Sequence, residues 1–304
     1  MDRIDRRGFL ECMAWAGTGV VWAVTGGLPS SRSIAQAADT SGADFTFVQI
    51  SDSHVGFKGE ANPDSAATLR EVVAKVNALT PRPAFVLHTG DLSHGQKAGA
   101  FDAVNEILKE ARVDKVFFVP GEHDVFLDGG KEFLARYGAG TTGQGWRSFD
   151  YRGTHLVGLV NVLKYKGEGI GSLGDEQLEW LEHDLAPLSA STPVIIYAHV
   201  PLWSVYPKWG WVTEDGERAL GYVKRFGSVT VLNGHIHQVL QKVEGTVSFH
   251  TAMSTAFPQP APGSAPAPGP MKIPAEQARH ALGLREVRYV AGRERLATID
   301  TTLA

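Results

Sequence analysis

Five short apolar runs in this chain end in the same way, with an acidic or imidazole side chain just past the last apolar residue. Phe45-Thr46-Phe47-Val48-Gln49-Ile50 leads into Asp52 and His54, and Ala84-Phe85-Val86-Leu87 leads into Asp91. Val116-Phe117-Phe118-Val119 leads into Glu122 and His123, Pro193-Val194-Ile195-Ile196-Tyr197 into His199, and Val229-Thr230-Val231-Leu232 into His235 and His237. Runs of this length, rich in β-branched and aromatic residues, read as buried strands. Between them, residues 63–79 carry Leu69, Val72, Val73 and Val76 at helical spacing, and residues 101–111 carry Phe101, Val104, Ile107 and Leu108 on one face. This alternation predicts an α/β chain with a mostly parallel sheet and helices on its faces. Open sheets of that kind bind ligands beyond the carboxyl ends of their strands, so the five endings point to one site.

The residue types narrow the chemistry. Asp52 and His54 are two apart, which on extended chain puts both side chains on one face. His235 and His237 repeat the spacing. A carboxylate beside an imidazole chelates a borderline cation, although either pair alone also fits an ordinary turn. Five of the eleven histidines lie in these endings, and His94 follows Asp91 by three residues. Asp and His donors without thiolate favour Zn, Mn or Fe, and this many donors suit two ions. Asp91, central in the expected strand order, is the natural shared ligand.

Composition excludes some alternatives. The net charge of −4 gives no basic surface for nucleic acid or an anionic membrane. The one cysteine, Cys12, lies in the N-terminal segment, leaving the remainder without disulfides. Residues 1–37 read as a leader: Arg6-Arg7 precede Phe9-Leu10, an apolar run extends from Cys12 to Leu28, and Ala35-Gln36-Ala37 offers a small-x-small cleavage pattern. This resembles a twin-arginine export signal, which implies passage through the Tat machinery in the folded state and a periplasmic or secreted destination. The run is too short and glycine-spotted for a stable membrane span. Residues 38–304 then form the folded domain.

Elsewhere, 147–151 and 155–160 suggest a hairpin, with Asn161 placed to face the site. A helix is expected over 174–188. Trp203, Tyr206, Trp209 and Trp211 cluster just after His199; the loop either packs its own aromatics or walls a substrate cleft, with Trp203 and Tyr206 as contacts. Residues 257–274 hold seven of the sixteen prolines and should be extended or disordered, as a flap over the cleft or an inert linker.

Asp52-x-His54, Gly90-Asp91, Gly121-Glu122-His123-Asp124, His199 and Gly234-His235-Ile236-His237 together resemble, in order and spacing, the calcineurin-like metallophosphoesterases. Leu178-Glu179-Trp180-Leu181 is similar to the class with cyclic-nucleotide and glycerophosphodiester phosphodiesterases. The resemblance implies a four-layer α/β/β/α sandwich of mixed sheets. It implies hydrolysis of small-molecule phosphate esters, diesters above all, by a hydroxide bridging two metal ions. Asp52, His54 and His237 would hold one ion, His199 and His235 the other, with Asp91 between. His123 would be general acid or phosphate ligand, Asp124 would orient it, and His94 would contact substrate. The alternatives are a phosphomonoesterase or protein phosphatase, and a non-hydrolytic metal- or ligand-binding protein.

One position departs from the family. Where its pattern has Asn, this chain has Glu122. Two divalent ions against Asp52, Asp91 and a hydroxide leave about one net positive charge, and a coordinating Glu122 would cancel it. Three outcomes remain open from sequence: a trivalent iron, a Glu122 turned away with water in its place, or a weakly held second ion.

Overall fold

The computed structural model describes residues 45–165, 170–290 and 296–304, with the short segments 22–25 and 28–31. The latter are a hairpin, β1 (Trp22–Thr25) against β2 (Leu28–Ser31). Arg6-Arg7 and the cleavage pattern at 35–37 lie outside the described residues.

The chain then runs β3 (Phe45–Ile50), α1 (Ser65–Ala78), β4 (Phe85–His88), α2 (Ala100–Leu108), β5 (Lys115–Phe118) and α3 (Lys131–Tyr137). It continues through the hairpin β6 (Arg147–Tyr151) and β7 (Thr154–Gly158), then β8 (Ile170–Gly171), α4 (Asp175–Leu185), β9 (Val194–Ala198), β10 (Val212–Thr213), α5 (Gly216–Val223) and β11 (Val229–Asn233). It ends in β12 (Gln241–Glu244), β13 (Val247–Thr251), α6 (Ala275–Ala278), β14 (Gly283–Tyr289) and β15 (Ala297–Thr302).

Two large sheets result, of order β15-β14-β3-β4-β5 and β12-β13-β11-β9-β7-β6. In the first sheet β3, β4 and β5 are parallel, joined through helices, and β14 and β15 add an antiparallel edge; in the second, β7, β9, β11 and β13 are parallel, and β6 and β12 pair antiparallel at its two edges through short turns. The sheets face each other across Phe47, Phe85, Leu87 and Phe117 on one side and Leu156, Ile195, Tyr197 and Leu232 on the other. On the outer face of the first sheet, α1 buries Leu69, Val72, Val73 and Val76, the predicted stripe. The second sheet is covered by α4 through Leu178, Leu181 and Leu185, and by α5 through Ala219 and Val223. This is the four-layer sandwich expected from the resemblance. Among the described residues, no helix is long and apolar enough to cross a membrane.

Register brings the loops together. Ile50, His88 and Phe118 align across β3, β4 and β5, and Ala198 aligns with Asn233 across β9 and β11. The five loops that carry the candidate ligands therefore leave from neighbouring strand ends. Beneath them the Gln49 amide donates to Asn233 O and to Thr89 Oγ1, both at 3.1 Å, tying the two sheets together.

Two expectations need correction. Asn161 does not face the site: its amide donates to Val200 O and Thr213 Oγ1, and its carbonyl accepts from Val200 N. It braces the segment after His199, since a fully buried amide must spend its donors and acceptor locally. The Pro-rich 257–274 forms neither helix nor strand but is not simply extended, since turns and bends fill most of 262–269, and its start is a structural wall. Phe257 is buried against Phe57, and Gln259 donates to His235 O while accepting from Gly269 N. An inert linker is thereby excluded for residues 257–259.

Candidate metal centre

Five of the seven expected ligands have left-handed backbone: Asp52, His54, Asp91, His235 and His237, with φ between 39° and 70°. The two i, i+2 pairs therefore do not converge by lying on extended chain. Each residue of a pair sits at a left-handed position in a loop past its strand, and the alternation turns both side chains inward. Each such residue costs roughly 1–2 kcal/mol, and strain of this kind collects at functional sites. The close approach of the loops also demands glycine. A Cβ on Gly90, whose φ is +96°, would stand 2.4 Å from His199 Nδ1, and one on Gly121 would stand 2.1 Å from Asp91 Oδ1.

The side chains sort into two adjoining groups, each with donor atoms within 4.8 Å of one another: Asp52, His54 and His237, and Glu122, His199 and His235. Asp91 Oδ2 lies between them, 3.3 Å from His54 Nε2 and 3.6 Å from His199 Nε2. Its other oxygen accepts from His123 N at 2.9 Å, which orients the carboxylate. Tautomers are set from behind: His199 Nδ1 meets Thr89 O at 2.7 Å, and His237 Nδ1 meets Phe257 O at 2.6 Å. Each ring thus turns Nε2 inward, as metal-ligating histidines do. Asp52 accepts from His235 N.

Glu122 points into the second group. Oε2 lies 2.9 Å from His199 Nε2, and Oε1 lies 3.1 Å from His235 Nδ1. The turned-away alternative is therefore not the observed one. Although Glu122 lies 2.9 Å from His199 Nε2 and 3.1 Å from His235 Nδ1, Glu122 Oε2, His199 Nε2 and both ring nitrogens of His235 are buried without a well-aligned hydrogen bond. Such orphaned donor atoms, aimed at one another, fit a cation.

Electrostatics agree. Burial, reinforced by the Glu122 charge, pushes the Asp91 carboxyl well above its ordinary range. Burial also works against Glu122, but His235 and His199 outweigh it and hold Glu122 well below. His199 is opposed by burial yet raised by Asp91 and Glu122. Burial and the neighbouring imidazoles of His123, His237 and His94 hold His54 well below its usual value. Three crowded carboxylates among histidines are what a multiply charged cation would relieve.

Two further imidazoles rim the centre. His94 and His123 stack at 4.9 Å, and His94 Nδ1 lies 3.2 Å from His54 Nδ1. Burial and the nearby His123 bring His94 down to about 4. Burial likewise lowers His123.

Residues 45–239 match the family model for calcineurin-like phosphoesterase. The chain belongs to the calcineurin-like phosphoesterase family. Among its curated relatives is a probable cyclic nucleotide phosphodiesterase of Rhodopseudomonas palustris, 28% identical over 51% of this chain and only 57% of the relative's length. A probable cyclic nucleotide phosphodiesterase of Rhodococcus erythropolis is 26% identical over 70% of this chain and 71% of its own. A glycerophosphodiester phosphodiesterase of Enterobacter lignolyticus is 25% identical over 69% and 77%. A dimetal phosphatase structure from Danio rerio superposes with TM-score 0.68 at 16% identity, over 86% of this chain and 97% of the other, and shows the shared fold.

Within this calcineurin-like phosphoesterase site, two expected roles shift. Asp124 does not hold the His123 ring. Its carboxylate accepts from Leu92 N, Ser93 N, Ser93 Oγ and Gly121 N at 2.8–3.0 Å. Both oxygens are spent knitting the Asp91 loop to the Glu122 loop. Trp203 packs on Phe249 in the core beneath the second sheet, and Tyr206 on Trp209. Tyr206, Trp209 and Trp211 pack edge-on against one another, and with Trp203 on Phe249 the loop's aromatics serve the core rather than wall a cleft. Sequence reasoning missed Phe57, Phe257 and Thr89. Thr89 stood beside Gly90-Asp91, but nothing local marks Phe257 as the support of His237.

Proposed function

We propose that this chain hydrolyses phosphodiesters at a dinuclear metal centre. The observation that carries the diester reading is the Glu122 carboxylate, directed into the second ligand group beside His199 and His235. It lowers the positive charge that a phosphoryl group meets, and a dianionic monoester loses more by this than a monoanionic diester. The phosphodiesterase names of the relatives support the same reading.

The donor set of imidazole and carboxylate, without thiolate, suits Mn, Fe or Zn. When bound, the two cations supply Lewis acidity and acidify water to a hydroxide near neutral pH. The chain's own part is positional. Asp52, His54 and His237 would hold one cation and Glu122, His199 and His235 the other, with Asp91 between the two groups. Asp124 sets the spacing of the Asp91 and Glu122 loops. His123, at the rim beside the second ligand group, is placed to serve as general acid or as a phosphate ligand that donates a ring N–H to a phosphoryl oxygen and steadies charge in the transition state.

Export in the folded state by the twin-arginine route belongs to this proposal, on the strength of Arg6-Arg7 and Ala35-Gln36-Ala37. Mass spectrometry of the exported protein should find a new N-terminus near Ala38; retention of Met1 would reject cleavage.

The deciding experiment compares kcat/KM of the metal-loaded protein for bis(p-nitrophenyl) phosphate and p-nitrophenyl phosphate. Preference for the diester is expected. Preference for the monoester would make it a phosphomonoesterase, and metal content without turnover of either would make it a binding protein.

A further inference from the structure

Among the described residues, three large apolar side chains are exposed: Phe126 at 53%, Leu127 at 75% and Ile299 at 37%. Phe126 borders the metal centre, and Leu127 follows it in the same turn. The Phe126 ring lies 5.3 Å from His123 and 6.1 Å from Tyr165, and Tyr165 lies 6.1 Å from His235. His123, Phe126, Tyr165 and His235 thus form an arc of rings over the mouth of the second ligand group.

The tip is held, not loose. Leu127 N donates to Gln96 Oε1, Gln96 Nε2 donates to Asp128 Oδ1, and Asp128 accepts from Gly130 N and Glu132 N at the start of α3. Val125 roots the tip in a buried patch with Val160, Val162 and Val200. Gln96 and Asp128 are tied to the tip's own backbone and to each other, and the side chain that the tip sets beside His123 is the exposed Phe126 ring. A rigid apolar lip in water has no folding benefit, and one bordering a site reads as a binding surface.

From this the geometry points to a substrate class: the phosphodiester carries an apolar alcohol substituent, alkyl or aryl, that lies on Phe126 and Leu127 while the phosphoryl group is held at the metals. This rests on the reaction proposed above. The Phe126 ring stands 5.3 Å from that of His123, so a substituent on a phosphorus held by His123 is within reach of the lip.

The test is an inhibitor series on the metal-loaded protein. Methyl-, butyl- and octylphosphonate share one headgroup and differ only in chain. Dissociation constants from calorimetry should tighten by about tenfold or more from methyl to octyl, since each buried CH₂ adds to binding. The double variant Phe126→Ser/Leu127→Ser should flatten the series to within about twofold, and Phe126→Leu should keep most of the slope. Both side chains are exposed, and thermal unfolding checks that the variants remain folded. A flat series in the unmodified protein, with bis(p-nitrophenyl) phosphate still hydrolysed, overturns this inference and leaves the reaction standing. A steep series abolished by the double variant, without diester turnover, supports the apolar site and faults the reaction. If the double variant keeps the slope but loses self-association in light scattering, the lip is a contact between copies and the inference fails.

Discussion

Replacing Glu122 by Gln keeps the shape of the second ligand group and removes one charge. The carboxylate oxygens stand 2.9 and 3.1 Å from His199 and His235, so the charge lines the pocket that a phosphoryl group must enter. One unit charge about 4 Å from another, at an effective dielectric near 20, is worth about 4 kcal/mol. His94 and His123 at the rim are only partly buried, so water enters and about half of that, ~2 kcal/mol per substrate charge, is a working figure. A diester then loses about 2 kcal/mol to Glu122 and a dianionic monoester about 4. The difference corresponds to roughly 30-fold in selectivity. Glu122→Gln should therefore shift the ratio of kcat/KM for bis(p-nitrophenyl) phosphate over p-nitrophenyl phosphate roughly 30-fold toward the monoester. Both rates are read from p-nitrophenol release, with metal content by mass spectrometry alongside. Because both substrates use the same metals, a change in metal affinity cancels from the ratio. A ratio within threefold of the unmodified protein, with both metals present, would falsify the electrostatic argument.

Other outcomes follow from particular contacts. Asp124→Ala strips the acceptor from three backbone amides and a hydroxyl, which should cost about 3–5 kcal/mol. The expected fall in Tm is roughly 6–15 °C, with a lower metal content because the Asp91 and Glu122 loops part; a Tm within 2 °C would count against the knitting role. His155 lies between Asp150 and Asp184, 2.8 and 2.9 Å away, and although burial opposes its charge the two carboxylates raise it above the ordinary value. Its stabilisation is fully present below the ordinary histidine value and is lost as pH rises through the raised one. His155→Asn should thus cost about 1–2 kcal/mol near pH 6 and little near pH 9, seen in denaturant melts at the two pH values; equal losses would contradict it. Adding Mn²⁺ or Zn²⁺ to chelator-treated protein at about 100 times its Kd should stabilise it by about 2.7 kcal/mol. His199→Ala should remove much of that gain, and an unchanged gain would place the cation elsewhere.

The strand-and-helix alternation, the stripe on α1 and the seven candidate ligands were legible along the chain, because each is a local pattern of residue types. Periodicity reports which face is buried, and five strand ends carrying Asp, Glu or His are too many for surface turns. The resemblance supplied the grouping into two sets and the second sheet's place opposite the first. What the chain could not show is how the ligands converge. The i, i+2 pairs meet through left-handed backbone, which depends on neighbouring loops at Gly90 and Gly121 and has no local spelling. The direction of Glu122 depends on two histidines about 80 and 110 residues away. The roles of Asp124, Asn161, Trp203 and Phe257 were likewise settled by partners distant in sequence. A side chain's type is written locally, but its direction is decided by whatever the fold packs against it, and here direction separates a ligand from a brace and a lip from a core.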